Sequence, residues 1–415
     1  MPKHSCRTHN GLVLVLVVAA IAIFSIMVLA MASLGYQSRI RAVRAQHELA
    51  AREAADAGHD AAVYQLNRQL ESWVGVMPQK RLPLALPGGS QSYTYTVASS
   101  LGAPVGSLAF DITAVGTSAN IQRRVFSRTQ LLGPFDYAVL VKDRMELKAK
   151  ATFDGYDSTQ GSYGGVNSGG PVKVGTNDDD PGDITLNSGV GLGEDSILIV
   201  GHGAAEDPGS VVDDKTGEEH AVFAALQEIS FPDVTMPTGG LSSLGQLNVG
   251  SNETVTIGVG SYLYDGIRVE QFGTLEIEGD VVLNVLSGGV LLKNSARLVI
   301  KGTPNSSLKL YLAGDFEAMT GGEVINDTSD PTKLKLYGTS GCRSITLKNS
   351  SDFFGAIYAP YALLDIRNSG DIYGSFVGER MVLHNSVNFI YDAALGCALP
   401  GDPAARFVPK RWHED

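Results

Sequence analysis

A chain of 415 residues with 48 glycines, 7% aromatic and 18% charged residues has room for one to three domains, and its mix suits a β-rich, turn-rich protein better than a helical cytosolic enzyme. The net charge of −12 is uneven: residues 1–60 hold six Arg and Lys against four Asp and Glu, so the remainder carries −14. An acidic body excludes nucleic acid as a partner, and three Cys without a Cys-x-x-Cys step and eight scattered His exclude a zinc site.

Residues 1–10 form a short basic leader with Lys3 and Arg7, read as cytoplasmic. Gly11 to Leu34 follows without a charge, Pro or Asn, long enough as a helix to cross a ~30 Å hydrocarbon core. Three fates are open to it: a membrane anchor, a cleaved secretory signal with Ala30-Met31-Ala32 as its site, or a prepilin-type leader. From Arg39 to Leu70 there is no Pro and only Gly58 as a breaker, while Ile40, Val43, Leu49, Ala50, Ala54, Ala57, Ala61 and Tyr64 recur at helical intervals. The spacing predicts that the membrane segment (11–34) continues into a helical stalk (35–74) as one helix of about 60 residues, close to 90 Å long.

Gly11-Leu12-Val13-Leu14-Val15 before the apolar run, with the later step Ala54-Ala55-Asp56-Ala57-Gly58, resembles the N-terminus of PilX-like minor pilins. That resemblance implies a place in a type IV pilus or pseudopilus, with the apolar helix among pilin subunits and a prepilin-peptidase cut between Gly11 and Leu12. Leu16 stands where major pilins carry Glu.

Gly75, Pro78, Pro83, Pro87, Gly88 and Gly89 mark 75–90 as a linker. Beyond it, alternation in 92–97, 107–112 and 123–128 predicts three antiparallel strands, a small head over 91–133. From Pro134 onward short apolar runs alternate with Gly, Asn, Ser and Asp. Asn294, Asn349, Asn368 and Asn385 each precede Ser; the last three are 19 and 17 residues apart, and the first two 55 apart, about three such intervals. A period of about 18–20 with Asn at a corner predicts a right-handed parallel β-helix over 134–395, of about ten rungs, in which Asn tolerates left-handed angles and bonds the next rung. Residues 204–250 read as an excursion over one end or flank, with a short helix from Glu218 to Glu228, and 396–415 as a tail. Asp154 to Gly164, Leu310 to Asp315, Phe353 to Pro360 and Asp371 to Val377 are similar to an uncharacterised domain found at the end of PilX-like proteins; the resemblance implies fold and location but no chemistry.

Candidate chemistry is sparse. Asp178, Asp179 and Asp180 lie about one rung before Gly201-His202-Gly203, an arrangement similar to polygalacturonase-type β-helix glycosidases, so Asp179, Asp180 and His202 are the candidate acids and base, although the later Arg-Ile-Lys rung is missing. The same acidic run reads as a solvated turn or as a site for Ca²⁺. Cys342 and Cys397 are candidates for a disulfide in an oxidising compartment. Tyr311, Tyr337, Tyr358, Tyr361, Tyr373 and Tyr391 either form a carbohydrate-binding face or stack along the rungs. The sequence therefore predicts a mixed protein held in the inner membrane by Gly11–Leu34, with an extracytoplasmic β-helix and no cofactor. It is pilus-associated and non-enzymatic, with surface or carbohydrate receptors as possible partners. The alternatives are a membrane-anchored polysaccharide-active enzyme and an anchored adhesin unrelated to pili.

Overall fold

The structure, a computed structural model, describes residues 10–70, 77–87, 91–100, 108–148, 150–187, 190–193, 196–204, 210–212, 219–225, 229–384, 387–398 and 402–414. The leader up to residue 9, Cys6 and Asn385 lie outside them. One long helix, α1 (Asn10–Arg68), precedes a largely β remainder, as the unbroken run of helix formers predicts. Its two halves differ. Large apolar side chains from Leu14 to Leu34 are all exposed, whereas Ala51, Ala54, Ala55, Ala62 and Leu66 are fully buried. The apolar stretch is long and hydrophobic enough to cross a membrane by length and composition.

The buried half lies on an antiparallel sheet ordered β1 (Gln79–Ala85), β2 (Gln91–Ser99), β3 (Ala109–Ser118), β4 (Ile121–Leu132) and a C-terminal strand, Arg406–Glu414. Small residues set how close the helix comes. A Cβ on Gly116 of β3 would stand 2.0 Å from the carbonyl oxygen of Ala51 and 2.3 Å from the amide nitrogen of Ala55, so helix and strand meet backbone to backbone. The Ala-rich step that marks the sequence is this contact surface. Two polar links add direction: His59 Nε2 lies 2.7 Å from Ser127 Oγ, and His47 Nδ1 lies 3.0 Å from Ser118 Oγ.

The sheet corrects two expectations. Residues 75–90 are not simply a linker, because β1 pairs with β2 there; Pro83 is accommodated at an edge, where the register shifts between Lys80 and Leu84. Nor is 396–415 a tail. Arg406–Glu414 pairs with β4, its register shifting across Pro409, and Asn67 of α1 clamps it: the side-chain amide donates to Phe407 O at 3.3 Å while its oxygen accepts from Phe407 N at 2.6 Å. Phe407 is buried against Phe110, their ring centroids 5.3 Å apart.

Apart from Ser210–Val212, which pairs antiparallel, the remaining strands form parallel sheets through which the chain passes repeatedly. The longest ladder runs through ten strands: Gly260–Tyr264, Asp280–Val285, Ser307–Leu312, Leu334–Gly338, the first parts of Phe353–Ile366 and Ile372–Leu383, then Val139–Val141, Lys173–Thr176, Ile197–Val200 and Glu219–Ala224. Space and sequence disagree here. The first circuit, entered at Val139, sits against the last, Ile372–Leu383, and the chain reaches the far end of the ladder only at residue 246. The expected excursion is therefore a return strap along the flank: Ile229 N bonds Asn177 Oδ1 at 3.2 Å, Tyr358 OH donates to Pro232 O at 2.8 Å, and Leu244 N to Leu263 O at 2.9 Å. The helix expected over 218–228 is instead the strand Glu219–Ala224, because parallel pairing with Ile197–Val200 and antiparallel pairing with Ser210–Val212 outweigh the helix propensity of its Ala and Glu.

Corner asparagines do part of what the repeat predicts. Asn349, fully enclosed, donates from Nδ2 to Val324 O (2.7 Å) and accepts at Oδ1 from Val324 N (3.0 Å), closing the ladder where a strand would otherwise be needed. Asn368 is also buried, whereas Asn294 is exposed and its neighbour Ser295 takes the left-handed angle, φ 58°. The separation of 55 residues between Asn294 and Asn349 is two circuits rather than three, since Val290 pairs with Phe316 and Phe316 with Ile345. Tyr311, Tyr337 and Tyr358 are in register on successive circuits and buried under the strap, the first two with rings stacked at 5.1 Å.

Two substitutions probe these contacts. Gly116→Leu should lower the unfolding free energy of the head by about 3 kcal/mol, with a smaller loss for Gly116→Ala, as read by urea denaturation. Asn349→Leu should cost about 2 kcal/mol by leaving both backbone groups of Val324 unpaired.

Candidate functional site

Three of the sequence segments singled out above, Asp154 to Gly164, Phe353 to Pro360 and Asp371 to Val377, converge on one recess of about 400 Å³. It forms because the first and last circuits are neighbours: Phe354 pairs with Tyr373, Tyr373 with Ile390, and Ile390 with Asp154 across consecutive strands. Phe353 points into the core and Phe354 outward, by the alternation of a strand. Gly374 permits this approach, since a Cβ there would stand 1.8 Å from Gly355 O.

Aromatic rings line the recess. Phe354 and Tyr373 stack with centroids 4.3 Å apart and planes 12° from parallel, and Tyr156, Tyr163 and Tyr373 meet edge to face at 5.7–6.3 Å. Tyr163 comes from the loop after Thr152–Tyr156, which Asn167 shapes by donating to Asp157 O and Gly161 O, both at 2.9 Å. Asp154 anchors the same loop, accepting from Gly169 N at 2.8 Å and Tyr163 OH at 2.5 Å. Burial, followed by the hydrogen bond to Asp154, pushes the Tyr163 phenol up to about 12; burial followed by the charges of Asp371 and Asp352 raises Tyr373. Asp157, Asp330 and Asp392 each cap a short 3-10 turn at this corner.

The expected glycosidase-like residues are brought together, and two of them, Asp180 and His202, are engaged with the backbone. The turn holding Asp178 to Asp180 lies beside Gly201-His202-Gly203, with Gly201 N donating to Asp178 O at 2.7 Å. Asp180 caps a turn through Gly182 N, a Cβ on Gly203 would stand 3.1 Å from Asp179 Oδ2, and His202 Nδ1 lies 3.2 Å from Ala225 O. None of the three lines the aromatic recess. One oxygen each of Asp143, Asp178 and Asp183 lies within 4.8 Å of the others, but Arg144 and Arg380 already pair with Asp183 and Asp143 at 3.3 and 3.8 Å. Burial, with the neighbouring Asp178, holds Asp183 above the ordinary carboxylate range.

The expected disulfide is absent: Cys342 is a buried thiol inside the parallel body, and Cys397 is an exposed one bridged to Leu132 beside the head. The two belong to different packing layers. Of the candidate processing residues, Gly11 and Leu12 both fall within α1. A second cavity, about 640 Å³, lies where head, body and strap meet. It is mostly apolar, with the Lys173–Asp136 pair at 2.8 Å and Arg406, whose guanidinium donates to Ser230 O and is pushed down by burial.

Residues 216–397 match the family model described as a domain of unknown function (DUF7305). That span contributes Asp330, Phe354 and Tyr373 to the recess, while Tyr156 and Tyr163 come from outside it. No curated protein matches the chain. Among solved structures, similarity is found to the competence-associated pilin ComZ from Thermus thermophilus, at 12% identity and a TM-score of 0.29 over 89% of this chain and 97% of that one. A glycosylated ice-binding protein (LeIBP) from an Arctic yeast is similar at 12% identity and a TM-score of 0.22, over 62% and 89%. Scores this low bear on neither fold nor function.

Burial pushes the Cys342 thiol up to about 12. Burial raises the Cys397 thiol as well, but its side chain is exposed, so peptide-resolved mass spectrometry after maleimide treatment of the native chain near neutral pH should show Cys397 labelled, though slowly, and Cys342 unlabelled until denaturant is added.

Proposed function

We propose that this chain is a non-enzymatic, pilus- or pseudopilus-associated structural protein of PilX-like type. It is inserted in the cytoplasmic membrane through Gly11–Leu34 and presents a right-handed parallel β-helix on the outer side for adhesion or assembly. The observation that supports this reading most is the division of α1: its second half is fixed to an antiparallel sheet by close Ala and Gly contacts, and its first half exposes a continuous apolar surface. A helix held at one end only needs an apolar surrounding at the other, which a lipid bilayer and a bundle of like helices both provide. The repeated parallel pairing of successive circuits, at intervals from 17 residues (Leu364↔Met381) to 39 (Met145↔Ile184), supports the β-helix. Asp180 is occupied in turn capping and His202 Nδ1 in a backbone contact, which counts against these two as the acid and base of the polysaccharide-cleaving alternative.

Sequencing the mature N-terminus of protein recovered with sheared surface filaments tests the reading. Leu12 as first residue is expected; Ser33 would mean a cleaved secretory signal, and an uncut start would mean a simple anchor.

A further inference from the structure

The recess between the first and last circuits has a charge character that its neighbours lack. Asp154, Asp157, Asp330, Asp352, Asp371 and Asp392 all lie in or around it, acting on its tyrosines or capping its turns. Among the described residues, none of the six has an ion-pair partner; backbone N–H groups, hydroxyls and side-chain amides meet them instead, as in Asp371 with Asn388 at 2.9 Å and Asp157 with Gln160 at 2.9 Å. Elsewhere the chain supplies its own cations. Glu270 is paired by Arg268 and Lys293, Asp365 by Arg367, and the half-buried ring of Tyr361 carries Lys142 Nζ at 4.0 Å from its centroid. Among the described residues no Lys or Arg stands over Tyr156, Tyr163, Phe354 or Tyr373.

Aromatic faces in a negative field attract a cation through the ring quadrupole and through Coulomb attraction together. A bare metal ion is a poor fit, because hard cations need several oxygens converging on one point and these carboxylates are spread around a rim of rings. A poorly hydrated organic cation fits both features, since its alkyl surface packs on the rings and its charge is met by the rim. Asp392 lies behind Ser158: it is fully enclosed, its Oδ1 accepts from Ser158 N and Ala394 N at 3.0 Å each, and its Oδ2 has no partner; burial raises its carboxyl, so the rim carboxylates carry more of the field.

We propose that the recess lined by Tyr156, Tyr163, Phe354 and Tyr373 is a binding site for quaternary ammonium groups of the choline type. The site displays on the body a receptor for a choline-bearing surface. It rests on the geometry of the recess and not on the pilus reading, so a chain that never enters a filament still binds.

Isothermal titration of the full chain in non-ionic detergent, free of choline lipids, tests it with choline chloride. The companion probe is choline's uncharged carbon isostere, in which a tert-butyl group replaces the trimethylammonium. Choline should bind at least about tenfold more tightly than the isostere, and binding should weaken as salt is raised. Tyr373→Ala should lose about tenfold in affinity and Tyr373→Phe little, while Asp371→Asn, which keeps the shape and removes one charge, should weaken binding severalfold. Comparison of the two probes on the unaltered chain needs no variant to fold. Equal affinity for choline and isostere, or no binding of choline at 100 mM (about the weakest affinity an exposed cation–π contact supports), overturns the proposal. Because the apolar half of α1 would insert into any vesicle, the two sources of the group are separated in detergent: displacement of bound choline by monomeric short-chain phosphatidylcholine but not by the phosphatidylglycerol analogue assigns a lipid headgroup, and choline binding without such displacement assigns a soluble or glycan-borne one.

Discussion

The head is built on the contact of α1 with β3, where Gly116 lets the helix backbone around Ala51 to Ala55 rest on the strand. Any side chain at that point would push the two apart by more than packing can absorb. The alanines on the helix face serve the same closeness, and the buried His59–Ser127 pair fixes the rotation of the helix on the sheet. Because the sheet grips only the second half of α1, the apolar first half stays exposed among the described residues, long and apolar enough to cross a membrane by length and composition.

A second constraint is the order in which the circuits stack. The chain enters its parallel body at Val139, builds three circuits, and returns along the flank to the far end. It then winds back until Ile372–Leu383 meets Val139–Leu147. The C-terminal strand next rejoins the head, clamped by Asn67. Head and body are thus closed by segments far apart in sequence, and the aromatic recess lies on the seam between first and last circuits. A seam of this kind joins motifs that no single circuit contains.

The parts legible in the sequence were those with local causes. Alternation located β2, β3 and β4, an absence of breakers gave α1, and the Asn-Ser recurrence marked corners that hydrogen-bond across circuits. What stayed hidden depends on partners distant in the chain. Glu219–Ala224 has helix-forming composition and becomes a strand because Ile197–Val200 offers an unpaired edge. Circuit lengths stretch where corners lengthen, so the interval from Asn294 to Asn349 misleads a count by period. The tyrosines divide by strand parity and cover: Tyr311, Tyr337 and Tyr358 lie under the strap, whereas Tyr373 opens into the recess. Segments containing Tyr163, Phe354 and Tyr373 stood out individually, but their meeting depends on the stacking order, which leaves no local signal.

Hydrogen–deuterium exchange of the full chain, compared between lipid nanodiscs and non-ionic detergent, tests the division of α1 most directly. The amides of residues 51–68 should be equally protected in both, held by the sheet, while protection of residues 14–34 should change with the surrounding medium. Rapid exchange over 51–68 with the sheet intact, or protection of 14–34 independent of the medium, would contradict a helix anchored at one end and committed to an apolar environment at the other.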